Sequence, residues 1–292
     1  MAAAVVALCS ATAYALASVL QQRAAAAQPA ALSMRTGLLV RLATRPLWLL
    51  GFLADVGGYA LQFVALGLGS LALVQPLLVS GLLIALPLSA WLSNRDLRRT
   101  EWAGAVALVV GLGAFLVVAH PASGTDDASR RAWIAVALAT LVPAGVLVGV
   151  GAAREGAPRA RALATATGLL YGFTAALTKT SAHLLSLGIG HALAAWQPYA
   201  LLVCGVLGML LAQSAFQAAP LDASLPLLTV VDPLASVLIG AFAFHEAMAN
   251  SLFAIVVELA AIALLAVGVF RVSAPAQVGK RWSTLSTQHR VD

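Results

Sequence analysis

Long apolar runs, separated by short polar segments, follow one another along most of the chain. Each run approaches the about 20 residues that an α-helix needs to cross the hydrocarbon core of a bilayer. The runs lack the apolar–polar alternation of a membrane β-strand. The pattern predicts nine spanning helices, over residues 2–22, 46–67, 70–92, 101–119, 132–151, 162–187, 197–218, 223–244 and 250–270.

The segment 28–45 breaks this pattern, because as a span it would be short and would carry Arg35 and Arg41. An Arg at the centre of a spanning helix costs about 2.5–3.5 kcal/mol on insertion scales. We therefore favour an interfacial or re-entrant segment here, with a tenth span as the alternative. The predicted fold class is an all-α, polytopic membrane helix bundle of nine or ten transmembrane helices.

Composition agrees with this fold class and excludes a separate soluble domain. Of 292 residues, 61% are hydrophobic and 10% are charged, and the mean hydropathy is +0.94, which is too apolar for a single core in water. No HExxH, GxSxG, Walker A or GxGxxG motif occurs in its required context. The two cysteines, Cys9 and Cys204, lie in apolar runs and form no metal-binding pattern. Neither an enzyme nor a cofactor is expected.

The basic residues indicate orientation in a plasma membrane rather than nucleic-acid binding. Threading nine spans with the C-terminus in the cytoplasm places 14 of the 17 Lys and Arg residues on that side, as the positive-inside rule requires. These are Arg23, Arg35, Arg41, Arg45, Arg95, Arg98, Arg99, Arg154, Arg159, Arg161, Arg271, Lys280, Arg281 and Arg290. Five tryptophans fall at predicted helix ends, where the indole favours the lipid headgroups: Trp48, Trp91, Trp102, Trp133 and Trp196.

An internal repeat emerges when the chain is compared with itself at a shift of 150 residues. The shift matches Pro76 to Leu78 with Pro226 to Leu228, and Asp96 with Glu246. The third and eighth spans differ by five, an odd number, so the repeats are inverted. We expect repeats at 1–121, with 28–45 as a degenerate second helix, and at 132–271, followed by a disordered cytoplasmic tail at 272–292. In this scheme the first span corresponds to the fifth and 28–45 to the sixth.

The repeat and its motifs resemble the drug/metabolite transporter superfamily, whose EamA-type members are tandem five-helix repeats. The acid-bearing helix exits LSNRD and FAFHE carry this resemblance. The stretch GYALQFVALGLGSLALVQPLLVSG, followed by WLSNRDLRRTEWAGAVALVVGLGAFLVVAHP, is similar to the NIPA-type branch, which implies magnesium transport. Where that branch has an acid and an Asn, this chain has Tyr59 and Gln62.

Four ionisable residues lie well inside predicted spans, where charges are costly and usually functional: Asp55, Lys179, Asp232 and Glu258. If all are charged, three acids and one base suit a cation or proton coupling, although desolvation favours the neutral form of a carboxyl. Lys179 could instead pair structurally with Asp232 or Glu258. Asp55 is then the strongest functional candidate, since no second base remains for it.

Neutral polar residues on the second, third, sixth and seventh spans complete the candidate substrate site: Tyr59, Gln62, Gln75, Tyr171, Gln213 and Gln217. Hydrogen bonding between helices explains them equally well. Asp232 precedes Pro233, and a helix bent there would expose carbonyls beside a carboxylate.

These patterns favour a secondary transporter of a small metabolite or cation, working by alternating access between inverted repeats. One alternative is a NIPA-like permease for magnesium or another divalent cation, in which Asp55 and Asp232 would face one cavity. Another is a non-transporting membrane scaffold, with a tightly packed bundle. The expected partners are the substrate and the lipid bilayer. A homodimer is an alternative to a monomer, whereas nucleic acid is excluded.

Overall fold

The fold is all-α, as the apolar runs predict. The structure is a computed structural model that describes residues 2–68, 77–119, 125, 127–245 and 252–272. This part of the chain forms eleven α-helices, a 3-10 helix (Ala30–Leu32) and no strand. The helices are α1 (Ala2–Ala26), α2 (Thr36–Leu42), α3 (Pro46–Leu68), α4 (Leu82–Leu92), α5 (Arg99–Ala119), α6 (Arg130–Ala152), α7 (Gly156–Ser186), α8 (Ile189–Ala194), α9 (Gln197–Ala218), α10 (Leu221–Ala243) and α11 (Leu252–Val272).

The longer helices coincide with the predicted runs, and most of the described ends lie within two residues of the expected ones. The largest shift is at the start of α4, which begins at Leu82 after a turn at residues 80 and 81, whereas the run is predicted from residue 70. The next largest is at the start of α7, which begins at Gly156 because the polar stretch before the apolar run is also helical. Within the described residues, α1, α6, α9 and α10 are each long and apolar enough to cross a membrane. A fifth crossing results if α2 and α3 together count as one. The count of nine or ten spans stays a prediction.

Residues 28–45 do not form a separate spanning helix. The seven residues of α2 rise only about 10 Å, whereas the hydrocarbon core is about 30 Å thick. The axes of α2 and α3 meet at 93°, which agrees with an interfacial or re-entrant segment. Two contacts hold the segment against α9: the Met34 N–H donates to Ser214 Oγ at 2.9 Å, and Gln217 Nε2 donates to the Pro29 carbonyl at 2.7 Å.

Helix packing joins distant parts of the chain. The closest partners are α1 with α3, α5 with α11, and α7 with α6, α9 and α10. Outside this packed interior, many large apolar side chains are exposed, including Trp91 (72%), Phe242 (76%) and Phe270 (76%). Apolar exposure on this scale marks an interaction surface, and together with the long apolar helices it indicates a membrane-associated protein.

The tryptophans lie at helix ends, as predicted, but two of them are also structural. Trp91, Trp102 and Trp196 are exposed, whereas Trp48 and Trp133 are only 6% and 5% exposed. Trp133 packs edge to face against three aromatic rings, and its Nε1 donates to Asp127 Oδ1 at 3.0 Å. A preference for the lipid headgroups therefore does not explain Trp48 and Trp133.

Candidate functional site

A cavity of about 270 Å³ lies inside the bundle, between helices from both parts of the chain. It is near the end of the bundle where α1 and α9 finish and α3 begins, since Gln21, Gln213 and Trp48 meet there. The lining residues are Ser18 and Gln21 of α1, Phe52 and Asp55 of α3, Tyr171 of α7, Gly205, Met209, Ala212, Gln213 and Phe216 of α9, and Leu225 and Leu228 of α10.

A chain of polar side chains leads across the bundle to the carboxylate in this cavity. Trp48 Nε1 donates to Gln213 Oε1 at 3.1 Å, and Gln213 Nε2 donates to Gln21 Oε1 at 2.6 Å. Gln21 in turn interacts with Asp55. All three residues that lead to Asp55 are buried, and paired polar groups of this kind fix side-chain positions inside a bundle.

α1 and α3 lie close enough together for Gln21 to reach Asp55. A Cβ atom at Gly51 would lie 2.9 Å from Cγ of Gln21, so only glycine leaves room for Gln21 here. Ser10 adds a buried hydrogen bond, since its Oγ donates to the Gly58 carbonyl at 2.6 Å. The two helices are thus held with Gln21 and Asp55 on adjoining faces.

Tyr171 interacts with both candidate acids. Its ring packs on Gly208, where a Cβ atom would lie 2.6 Å from Tyr171 Cε1. The phenol interacts electrostatically with both Asp55 and Asp232. Tyr171 therefore connects the cavity with the polar position on α10.

Asp232 is not among the residues that line the cavity. Ser236 Oγ donates to its Oδ1 at 3.3 Å and to its backbone carbonyl at 2.9 Å. α10 is one continuous helix through Pro226 and Pro233, and the expected bend at Asp232 stays a prediction. Neighbouring helices keep such prolines within a membrane helix.

The other predicted site residues lie away from the cavity lining. Tyr59 is 63% exposed, and Gln62 Oε1 accepts a hydrogen bond from Tyr14 at 2.8 Å. Lys179 Nζ lies 4.6 Å from the centre of the Phe244 ring. Glu258 Oε1 is buried without a hydrogen-bond partner among the described residues.

The two remaining candidates are Gln217 and Gln75. Gln217 binds the carbonyls of Gln28 and Pro29, and so it is a structural contact to the segment before α2. Gln75 lies outside the described residues, as do Glu246 and the tail from residue 273. Of the ten predicted site residues, the structure brings Asp55, Tyr171 and Gln213 together in one cavity.

Comparison with known proteins adds one relative. An uncharacterized protein of Corynebacterium glutamicum is 34% identical over 244 residues, which cover 82% of this chain and 83% of that protein. This chain belongs to the same protein family. No protein-family model and no solved structure matches the chain. Because the corynebacterial relative is uncharacterized, its family assigns no activity to this chain.

An ion-pair cluster at one end of the bundle is not predicted by the sequence. Glu101, whose side chain is fully buried, accepts from Arg95 Nη1 at 2.7 Å and from Arg98 Nη2 at 3.0 Å. Arg95 Nη2 also lies 3.3 Å from Asp222 Oδ2. Glu101 and Asp222 lie at or just before the start of predicted spans and attract no attention in the sequence, but the Arg-rich loop between α4 and α5 is a signal that points to acidic partners nearby.

The polar chain at the cavity was missed in a similar way. Gln21 lies at the end of the first apolar run, beside Gln22 and Arg23, where a polar residue is expected at a helix exit. Trp48 was assigned to the lipid headgroup level. Their common partner, Gln213, is more than 160 residues away along the chain from both, so only the folded bundle reveals the connection.

Proposed function

We propose that the protein is a secondary transporter that moves a small metabolite or cation across the plasma membrane by alternating access. The observation that carries this proposal is a cavity lined by α1 and α3 from one half of the chain and by α7, α9 and α10 from the other, with Asp55 in its wall. Transporters built from inverted repeats bind substrate between their halves, and rocking of the halves exposes the site to either side.

Repeated contacts support two related halves. The Tyr14 ring packs on Gly58, where a Cβ atom would lie 3.0 Å from its Cδ1, and the Tyr171 ring packs on Gly208 in the same manner. Gly58 and Gly208 are 150 positions apart, the shift that relates the two halves of the sequence. The pair α1 and α3 therefore resembles the pair α7 and α9.

A second repeated contact involves the helices that follow. A Cβ atom at Gly81 would lie 2.7 Å from the Ala11 carbonyl oxygen, and one at Gly168 would lie 2.7 Å from Cβ of Val231. Gly81 and Val231 are again 150 positions apart. The packing of α1 on the segment before α4 thus resembles the packing of α7 on α10.

The contact between α5 and α11 fits a twofold axis between the halves. A Cβ atom at Gly111 would lie 3.1 Å from the carbonyl oxygen of Ala261, and these residues are also 150 positions apart. Contact between equivalent positions is the signature of a twofold relation. The same contacts favour α1 as the counterpart of α7, not of α6 as the sequence comparison suggested, and they leave α6 without a counterpart among the described helices.

The cavity argues against the alternatives. A scaffold with a tightly packed bundle has no use for a polar cavity that contains a carboxylate. A divalent-cation permease with Asp55 and Asp232 in one cavity is less well supported, because only Asp55 is in the lining. The proposal includes membership of the drug/metabolite transporter superfamily, which the sequence resemblance supports. It also includes a cytoplasmic C-terminus, which the distribution of Arg and Lys supports.

Uptake into proteoliposomes tests the proposal. The panel contains inorganic cations, organic amines and amino acids, and each is compared for the parent, Asp55→Asn and the control Asp96→Asn, which changes an exposed carboxyl outside the cavity. We expect at least one solute to be taken up by the parent and the control and to be lost in Asp55→Asn. Equal uptake of every solute by the parent and by Asp55→Asn would refute the role of this cavity.

A further inference from the structure

The charge of the cavity wall restricts what the cavity can hold. Among the lining residues that the structure describes, Asp55 is the one acid, and none is Lys, Arg or His. A single carboxylate in a site of low dielectric is best matched by one positive charge on the ligand. An anion would meet repulsion, and a zwitterion would leave its own carboxylate without a cationic partner in the described part of this wall.

The oxygen atoms of the wall are poorly suited to a bare metal ion. Calcium takes six to eight oxygen ligands, and magnesium demands an octahedral set. Gln21 Oε1 and Gln213 Oε1 each already use a lone pair to accept a hydrogen bond. Across the described ranges, no three His, Cys, Asp or Glu side chains gather into a metal site.

The remaining wall is apolar and partly aromatic. Phe52, Met209, Phe216, Leu225 and Leu228 line it together with the ring of Tyr171. Aromatic faces attract organic cations, and apolar walls favour a ligand with an apolar body. A strongly hydrated inorganic ion would gain nothing from these side chains.

The cavity volume limits the size of such a ligand. A volume of about 270 Å³ equals that of about nine water molecules in the liquid. A ligand with about nine or ten non-hydrogen atoms would fill it. This size corresponds to one aromatic ring, or a similar apolar group, with a short ammonium-bearing arm.

We propose that the cavity binds a monovalent organic cation of this size, with its ammonium group beside Asp55 and its apolar body against Phe216 and the leucines of α10. The inference rests on the proposed transport function and adds the substrate class to it. Tyr171 packs on Gly208 of α9 and interacts with Asp55. It therefore holds the side of the cavity that carries the Asp55 carboxylate.

Counterflow in proteoliposomes tests the substrate class without knowledge of the coupling ion. Vesicles are loaded with unlabelled phenyltrimethylammonium, which is permanently charged and has ten non-hydrogen atoms, and uptake of the labelled compound is measured. We expect counterflow in the parent and in Asp96→Asn, a loss of at least about thirtyfold in Asp55→Asn, and a loss of about two- to thirtyfold in Phe216→Leu. An excess of magnesium chloride or of uncharged 2-phenylethanol should not compete.

A binding measurement on the parent protein guards against variants that fail to fold. A ligand that binds the folded state raises the melting temperature, so phenyltrimethylammonium should raise it and 2-phenylethanol should not. Asp55-dependent flux of magnesium or an amino acid, without counterflow of phenyltrimethylammonium, would overturn the substrate class and leave the transport function standing. No Asp55-dependent flux of any solute, from variants with the parent's melting temperature, would overturn both.

Discussion

Arg95 Nη2 lies 3.3 Å from Oδ2 of Asp222 and so joins the loop between α4 and α5 to the first turn of α10. The same guanidinium binds the buried Glu101 through Nη1. One arginine therefore connects two halves of the chain at one end of the bundle, beside the turn of α10 that carries the cavity residue Leu225.

The two carboxylates bound to Arg95 should differ in their effect on stability. Glu101→Gln should lower the free energy of unfolding by about 1.5–3 kcal/mol, because it weakens charged hydrogen bonds to a fully buried group. Asp222→Asn should cost about 0.2–1 kcal/mol, since the Arg95 side chain is 36% exposed. Thermal unfolding in detergent, followed by tryptophan fluorescence, measures both, with the exposed Glu155→Gln as control. Equal losses for the two variants would contradict this ranking.

The hydrogen bond between Gln21 and Gln213 should appear as a coupling energy. We expect the double variant Gln21→Ala with Gln213→Ala to deviate from additivity by about 0.6 kcal/mol, the average for hydrogen bonds between membrane helices, and by at most about 1.7 kcal/mol. Gln21→Ala with Gln217→Ala is the matched control, because Gln217 bonds elsewhere, and it should be additive. A coupling near zero for the first pair would show that the 2.6 Å contact contributes nothing.

Adjacent glycines of α3 offer a sharp test of the packing on Tyr14. Gly58→Ala should destabilise the protein by about 1–3 kcal/mol, because the added methyl group meets the Tyr14 ring. Gly57→Ala should be neutral or stabilising by up to about 1 kcal/mol, since a Cβ atom there meets nothing within 4 Å and alanine favours helix. Melting temperatures of the two variants decide the matter, and an equal drop in both would count against this packing.

Orientation can be measured with an impermeant thiol reagent on intact cells. In a background with Cys9→Ser and Cys204→Ala, Asp127→Cys should be labelled from outside, whereas Asp96→Cys and Glu155→Cys should react only after the membrane is opened. All three positions are exposed. Labelling of Asp127→Cys and Asp96→Cys from the same side would rule out the nine-span threading.

Much of the fold follows from the sequence because lipid imposes long apolar helices. The extent of α9 is predicted to the residue, as Gln197 and Pro198 stand at the start of its apolar run and Pro220 closely follows its end. The short helix α2 is only partly foreseen, because Arg35 and Arg41 argue against a span without saying what replaces it. The short helix α8 is missed, since its residues between α7 and α9 follow no periodic pattern.

The candidate site is less accessible from sequence. Asp55 stands out because a lone carboxylate in a span is rare, but Gln21 and Trp48 become site residues only when α9 reaches them. The likeness of α1 to α7 was missed for a related reason. The linker before α3 (27–45) is longer than the linker before α9 (187–196), so Tyr14 and Tyr171 fall out of register at the shift that aligns the rest.

The unmatched helix α6 has a topological consequence. In the proposed arrangement, each half of the chain crosses the membrane four times. Because four is an even number, a second half joined directly to the first would enter the membrane in the same direction as the first. The additional crossing by α6 reverses the direction of the second half. Removing α6 should therefore leave two units side by side in equal orientation, with the arginines that follow α6 drawn to the wrong face and no opposed pair of walls to enclose a solute.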